Sequence, residues 1–141
     1  MSLIRFGVSA SNYSEAITSA GELLVAKGFV KPSYVSAMIR VVEELGPYIV
    51  LVDGFALAHA APGEDVVENA ISVAVLENPV DFGSGKMVKV VFALAAKDHS
   101  SHIESLGALA ELLADVENRN VLLNSSDSEQ IRILLARALG E

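Results

Sequence analysis

The stretch VKVVFALAA, residues 88–96, constrains the fold more than any other part of this sequence. After Lys89 every residue is apolar, so neither face of the segment is suited to water. A strand that is apolar on both faces lies inside a sheet that helices cover from both sides. The segment therefore predicts a central strand in a layered α/β fold.

Three further apolar segments predict the other strands of the sheet. They are residues 48–52 (YIVLV), 55–59 (FALAH) and 70–77 (AISVAVLE). Most are rich in the β-branched residues that strands favour. The pair Asp53-Gly54 separates the first two and predicts a hairpin turn between them.

Helix-start signals flank these strands on both sides. Residues 12–15 (NYSE), 101–104 (SHIE) and 126–129 (SDSE) each place a small polar residue three positions before a glutamate, the pattern of a capping box. Pro32 predicts the start of a fourth helix, which Gly46 ends. We therefore predict an α/β fold: a three-layer sandwich with a mixed β-sheet flanked by helices, in a single domain spanning residues 1–141, a length typical of one core.

Charge and composition exclude several classes of function. The net charge is −8 and the ten basic residues are scattered, whereas binding to nucleic-acid phosphates needs clustered Lys and Arg. An acidic surface suits docking to a basic protein instead. We see no apolar stretch of ~18 residues and no secretory signal, so we expect no membrane insertion. The absence of cysteine removes thiolate chemistry, and together these features predict a cytoplasmic protein.

The reactive side chains are few, and the three histidines stand out: His59, His99 and His102. The sequence lacks the HExxH, G-x-S-x-G, P-loop and dinucleotide-binding patterns. Zinc would require three neutral imidazoles, or two with a carboxylate. A metal site formed by the three histidines therefore remains an alternative, with Asp98 beside His99.

Two of the histidines fit a different chemistry when taken together. His59 ends a predicted strand before the turn at Pro62-Gly63, and sites form at such strand ends in open α/β sheets. His102 follows Ser101, the predicted cap, at a helix N-terminus that favours neutral imidazole and attracts anions. A neutral imidazole is a nucleophile at pH 7, and phosphoryl transfer needs mainly positioning and charge stabilisation. The pair predicts a phosphoryl acceptor site, although each histidine taken alone is more often a packed or hydrogen-bonded structural residue.

Two longer segments resemble a known family: residues 34–62 (YVSAMIRVVEELGPYIVLVDGFALAHAAP) and 90–113 (VVFALAAKDHSSHIESLGALAELL). They are similar to the IIA component (EIIA, type 2) of the bacterial sugar phosphotransferase system, in the mannitol/fructose superfamily. The likeness extends over residues 5–139, and GPYIV at residues 46–50 is most similar to the ascorbate-type branch.

The resemblance implies a phosphotransferase with a phosphohistidine intermediate and no cofactor or metal. His59 would be the phosphoacceptor and His102 the supporting histidine. Besides what the resemblance implies, we expect Ser100, Ser101 and the helix N-terminus to offer further donors. The phosphocarrier HPr would supply the phosphoryl group and a IIB component would receive it, for uptake of a sugar of the ascorbate, mannitol or fructose type.

Some positions depart from the family pattern. Ala58 stands where a proline commonly precedes the acceptor, and Arg40 is out of register with the arginine that some members place near it. His99 is additional, and we expect it in a solvent-facing loop.

Two other functions remain open for a domain of this kind. It could be a regulatory module that reports phosphorylation state through protein contacts. It could also be an interaction domain that keeps the fold without the chemistry. Apolar helix surface could further support a homodimer.

Overall fold

A computed structural model describes residues 2–140 of the chain. The elements follow in the order β1 (Ser2–Val8), α1 (Tyr13–Ala26), α2 (Pro32–Leu45), β2 (Gly54–Ala58), β3 (Ala70–Asp81), β4 (Met87–Ala95), α3 (His99–Ala114), α4 (Val116–Asn124) and α5 (Ser128–Leu139). The strands form a mixed sheet in the order β1-β3-β4-β2, in which only the β3–β4 pair is antiparallel.

Helices cover the sheet on both faces, which confirms the predicted three-layer α/β fold. One core lies between the sheet and helices α1 and α2, and a second lies between the sheet and helices α3, α4 and α5. Strand β4 contributes alternate residues to each core, with Val91 and Ala93 on one face and Val90 and Phe92 on the other. The prediction of a central strand, apolar on both faces, is therefore confirmed.

The strand and hairpin predicted between residues 48 and 59 are partly wrong. Residues 48–52 form no regular strand: Ile49 is buried, but Tyr48 is 78% exposed and Leu51 is 47% exposed. Asp53-Gly54 makes a tight turn, in which the Phe55 N–H donates to the Val52 carbonyl at 3.0 Å. Only the second segment forms a strand, β2, so the turn joins a loop to a strand. Strand β1 was not predicted.

The helix starts agree in part with the predicted caps. Asn12 caps α1 by accepting a hydrogen bond from the Glu15 N–H at 2.9 Å, and α2 runs from Pro32 to a stop at Gly46. Asp127, rather than Ser126, caps α5. Helix α4 was not predicted at all.

Large apolar side chains are exposed on four different helices: Leu45, Ile103, Val116 and Ile133. The homodimer that such surface could support stays a prediction. Between residues 2 and 140, no helix has the length and apolar character needed to cross a membrane.

Candidate active site

His59 follows the last residue of β2 and is half-buried between the buried residues Ala58 and Ala60. Its Nδ1 atom lies 2.7 Å from the Leu57 carbonyl oxygen. Because a carbonyl oxygen can only accept, Nδ1 must carry a proton for this hydrogen bond to form. In the neutral ring Nε2 is then the unprotonated nitrogen.

The parallel pairing of β2 with β4 brings the second histidine to the same edge of the sheet. Strand β4 ends at Ala95 and leads directly into α3, which carries His102. The ring centroids of His59 and His102 are 5.3 Å apart, and the ring planes are tilted by 55°. The structure thus brings together the two histidines that the sequence singled out.

Helix α3 begins earlier than predicted. The cap is Asp98, whose carboxylate accepts a hydrogen bond from the Ser101 N–H at 2.8 Å. The predicted cap at Ser101 is therefore wrong, and His102 is the fourth helical residue rather than the first. His99 is the first helical residue and is exposed, so it lies on the helix and not in the expected loop.

His102 is nonetheless biased towards the neutral form. Its pKa is lowered from the ordinary value of 6.5, first because partial burial disfavours the imidazolium, and then because of electrostatic interaction with the His59 and His99 rings. The predicted direction is correct, but the cause is burial rather than the helix terminus. The Nδ1 atom of His102 is buried, with no hydrogen-bond partner among residues 2–140.

Asn69 connects the start of β3 to the junction between β4 and α3. Its side-chain oxygen accepts a hydrogen bond from the Lys97 N–H at 2.7 Å, and its amide nitrogen donates to the Ser101 Oγ at 3.3 Å. The Ser101 N–H is already bound to Asp98, and a donor role for the Ser101 hydroxyl stays a prediction. Ser100 is exposed in the first turn of α3.

Tyr34 is a residue of this region that sequence reasoning missed. Its side chain is only 1% exposed, and its hydroxyl accepts a hydrogen bond from the Ala60 N–H at 3.1 Å and donates to the Leu94 carbonyl. Burial raises the pKa of the phenol, which keeps it protonated as a donor. The only signal in the sequence is that a buried tyrosine hydroxyl usually needs a partner.

Arg40 is exposed on α2. Within the described range, no three His, Cys, Asp or Glu side chains are grouped to hold a metal ion, which disfavours a site made of His59, His99 and His102.

A three-layer domain with paired histidines at the carboxyl edge of parallel strands is the arrangement implied by the sequence resemblance. Residues 1–138 match the model of the family described as phosphoenolpyruvate-dependent sugar phosphotransferase system, EIIA 2. The chain belongs to this family of phosphotransfer proteins.

Individual relatives agree with this assignment. The chain is 32% identical over 130 residues to the mannitol-specific cryptic phosphotransferase enzyme IIA component of Escherichia coli K12, covering 92% of this chain and 88% of the relative. It is 31% identical over 137 residues to the ascorbate-specific EIIA component of the same strain, covering 95% and 89%. Its structure also resembles the E. coli mannitol IIA solved in complex with phosphorylated IIB, with a TM-score of 0.84, 28% identity, and coverage of 95% and 94%.

Proposed function

We propose that this protein is a cytoplasmic phosphoryl carrier that accepts a phosphoryl group from phospho-HPr on His59 and passes it to a IIB component. The observation that carries the proposal is the His59 imidazole, anchored through Nδ1 to the Leu57 carbonyl and 5.3 Å from the ring of His102. A ring held at one nitrogen presents the other, Nε2, as a nucleophile at neutral pH.

The transfer would take place in two displacements at phosphorus. A bond from Nε2 of His59 to phosphorus forms as the bond to the donor breaks, which gives a phosphohistidine. That bond then breaks as a nucleophile of IIB attacks the same phosphorus in line. Positioning and charge stabilisation supply most of the catalysis in such reactions.

His102 would support the phosphoryl group rather than receive it. Its Nδ1 is buried without a partner, so the neutral ring is best protonated at Nε2, which could donate to a phosphoryl oxygen. The group brings roughly two negative charges, which favour additional positive charge on His102. Burial keeps that charge low before the group arrives.

Two observations support the proposed partners. The mannitol IIA with a similar fold was solved with phosphorylated IIB, which supports IIB as the recipient. The net charge of −8 suits a donor with a basic docking face. Mannitol- and ascorbate-specific relatives are almost equally identical to this chain, so the ascorbate-type assignment stays a prediction.

Radiolabelled phospho-HPr provides the direct test. We expect the wild type to gain an acid-labile phosphate, His59→Ala to gain none, and His99→Ala, a control at an exposed histidine, to label normally. His102→Ala should accept phosphate but pass it to IIB roughly 100-fold more slowly, the lower end of the range for losing one positioned polar group.

The outcomes separate the possible functions clearly. Label on His59→Ala would refute the acceptor assignment, and normal onward transfer by His102→Ala would remove its supporting role. If the wild type takes up no label, the protein is instead a non-catalytic interaction domain.

A further inference from the structure

We propose that Tyr34 is a positioning residue of the phosphotransfer site, acting through the backbone that follows His59. The inference rests on the proposed function and adds to it a residue that never touches the phosphoryl group. It is carried by the hydrogen bonds of the Tyr34 hydroxyl and by the way one chain segment clamps the loop after His59.

The Tyr34 hydroxyl makes hydrogen bonds to both chain segments just beyond the point where the pairing of β2 with β4 ends. The parallel pairing of β2 with β4 ends at the pair Ala58–Ala93. Just beyond it, the hydroxyl accepts from the Ala60 N–H at 3.1 Å and donates to the Leu94 carbonyl. One side chain therefore joins the exit of β2 to the end of β4, immediately past His59.

Backbone contacts of the neighbouring segment hold the rest of the same loop. The Lys31 N–H donates to the Asp65 carbonyl at 2.8 Å, and the Val67 N–H donates to the Phe29 carbonyl at 2.8 Å. Residues 29–34 therefore fix the loop at residue 60 through the Tyr34 hydroxyl and at residues 65–67 through backbone. Tyr34 itself is held in the first turn of α2, where its N–H donates to the Lys31 carbonyl at 2.9 Å.

Loss of the hydroxyl would act on the reacting nitrogen through this backbone. Tyr34→Phe leaves the Ala60 N–H and the Leu94 carbonyl buried without their shared partner, so the peptide after His59 is free to turn. The hydrogen bond from His59 Nδ1 to the Leu57 carbonyl then loses its fixed geometry. Small misplacements of a reacting group lower the rate of the chemical step much more than they weaken binding.

The test is single-turnover phosphoryl transfer from phospho-HPr to Tyr34→Phe, at a temperature where circular dichroism shows the variant fully folded. We expect the maximal rate constant to fall roughly 10-fold and the half-saturating phospho-HPr concentration to change less than about 2-fold. Hydrogen exchange of the Ala60 amide should accelerate in the same variant.

Ser72→Ala is the matched control for the loss of a buried hydroxyl. The Ser72 Oγ is fully buried and donates to the Ala20 carbonyl of α1 at 2.6 Å, but it is not part of the loop clamp. We expect this variant to lose stability and to transfer phosphate at the wild-type rate. If Tyr34→Phe is too unstable, the measurement is made in a Gly107→Ala background, because Gly107 is an exposed helical glycine with open space around it.

The outcomes distinguish the two proposals. A wild-type rate in folded Tyr34→Phe would overturn the positioning role alone, as would an equal loss of rate in Ser72→Ala. Failure of the wild type to accept phosphate would overturn the proposed function and the positioning role with it.

Discussion

At the residue scale, the two site histidines are held by different means. A hydrogen bond from Nδ1 to the Leu57 carbonyl fixes His59, which leaves one nitrogen free to react. His102 is held by its place on α3, with its Nδ1 buried and unpartnered within the described range. One ring is therefore fixed by a hydrogen bond to the backbone, while the other is biased by burial towards its neutral form.

The lowered pKa of His102 predicts how stability depends on pH. The folded-state pKa lies below the ordinary value of 6.5, so between these two values the unfolded chain binds a proton that the folded chain does not. The free energy of unfolding should therefore fall as pH drops from 6.5 towards the folded-state pKa. Above 6.5 the ring is neutral in both states, so His102 should cause no change of stability with pH there. Urea unfolding from pH 7.5 to 5.5 should show a smaller decline in His102→Gln than in the wild type.

His99→Gln is the control for this pH dependence, because His99 is exposed on the same helix. It should follow the wild-type decline closely, with only the small change expected from removing one nearby positive charge. Identical pH profiles for the wild type and His102→Gln would show that burial of His102 has no effect on its protonation.

The site could be predicted only in part. The pairing of His59 and His102 could be predicted because a strand end, a polar loop and a family pattern marked both residues, and their roles stay predictions. Tyr34 could not, because its partners Ala60 and Leu94 lie 26 and 60 residues away along the chain and are backbone groups of unremarkable residue types. Contacts of this kind exist only once the sheet and α2 have assembled.

At the element scale, α3 shows why a cap can be misplaced. The glutamate at position 104, three residues after Ser101, led to the prediction of a cap at Ser101. The structure uses Asp98, where the chain is extended directly after β4 and where Asn69 holds the preceding Lys97 N–H. The earlier cap adds about one turn of helix. His102 is therefore the fourth residue of α3 and not the first.

This cap gives a prediction that links stability to function. Asp98→Ala should lower the free energy of unfolding, since it frees the Ser101 N–H, and it should loosen the first turn that supports His102. Asp127→Ala removes an equivalent cap from α5, away from the histidines, and should cost a similar amount. Urea unfolding and the rate of phosphate transfer to IIB would be measured for both.

Only the Asp98→Ala change should slow transfer, and Asp98→Asn should largely restore it, because asparagine caps equally well without the charge. Equal transfer rates in the two alanine variants would show that the first turn of α3 does not position His102.

The unpredicted elements have physical explanations of their own. In helix α4 only Leu122 is buried, and apart from the exposed Val116 its apolar residues are the consecutive run 121–123, so it lacks the periodic apolar stripe that marks a helix in sequence. Its start depends on the Asp115 side chain, which accepts from the Glu117 N–H at 2.8 Å. Residues 48–52 have strand-like composition but contact β2 only through an isolated bridge at Val52 and a hydrogen bond from the Leu57 N–H to the Ile49 carbonyl, so they form no continuous ladder. Composition alone cannot supply a pairing partner.

At the scale of the whole molecule, two hydrophobic cores share one sheet. Strand β4 places alternate side chains in each core. Loss of packing in one core would therefore disturb a strand that the other core also needs. The β3–β4 and β2–β4 pairings run through this strand as well. A shared central strand should make the domain unfold as one unit.

Tyrosine fluorescence can test this cooperativity, because the chain has three tyrosines and no tryptophan. Tyr13 and Tyr34 pack against the core under α1 and α2, and Tyr48 is exposed, so the probes do not report directly on the opposite core.

Leu135→Ala removes a fully buried side chain from that opposite core and should destabilise the protein by about 2–5 kcal/mol. Met38→Ala makes a comparable deletion on the tyrosine face. If the domain unfolds as one unit, the urea midpoint is lowered in both variants. Within each variant, tyrosine fluorescence and far-ultraviolet circular dichroism then give the same midpoint. Two independent cores would instead leave the tyrosine midpoint of Leu135→Ala at its wild-type value, and the sharing of β4 would then not couple the layers.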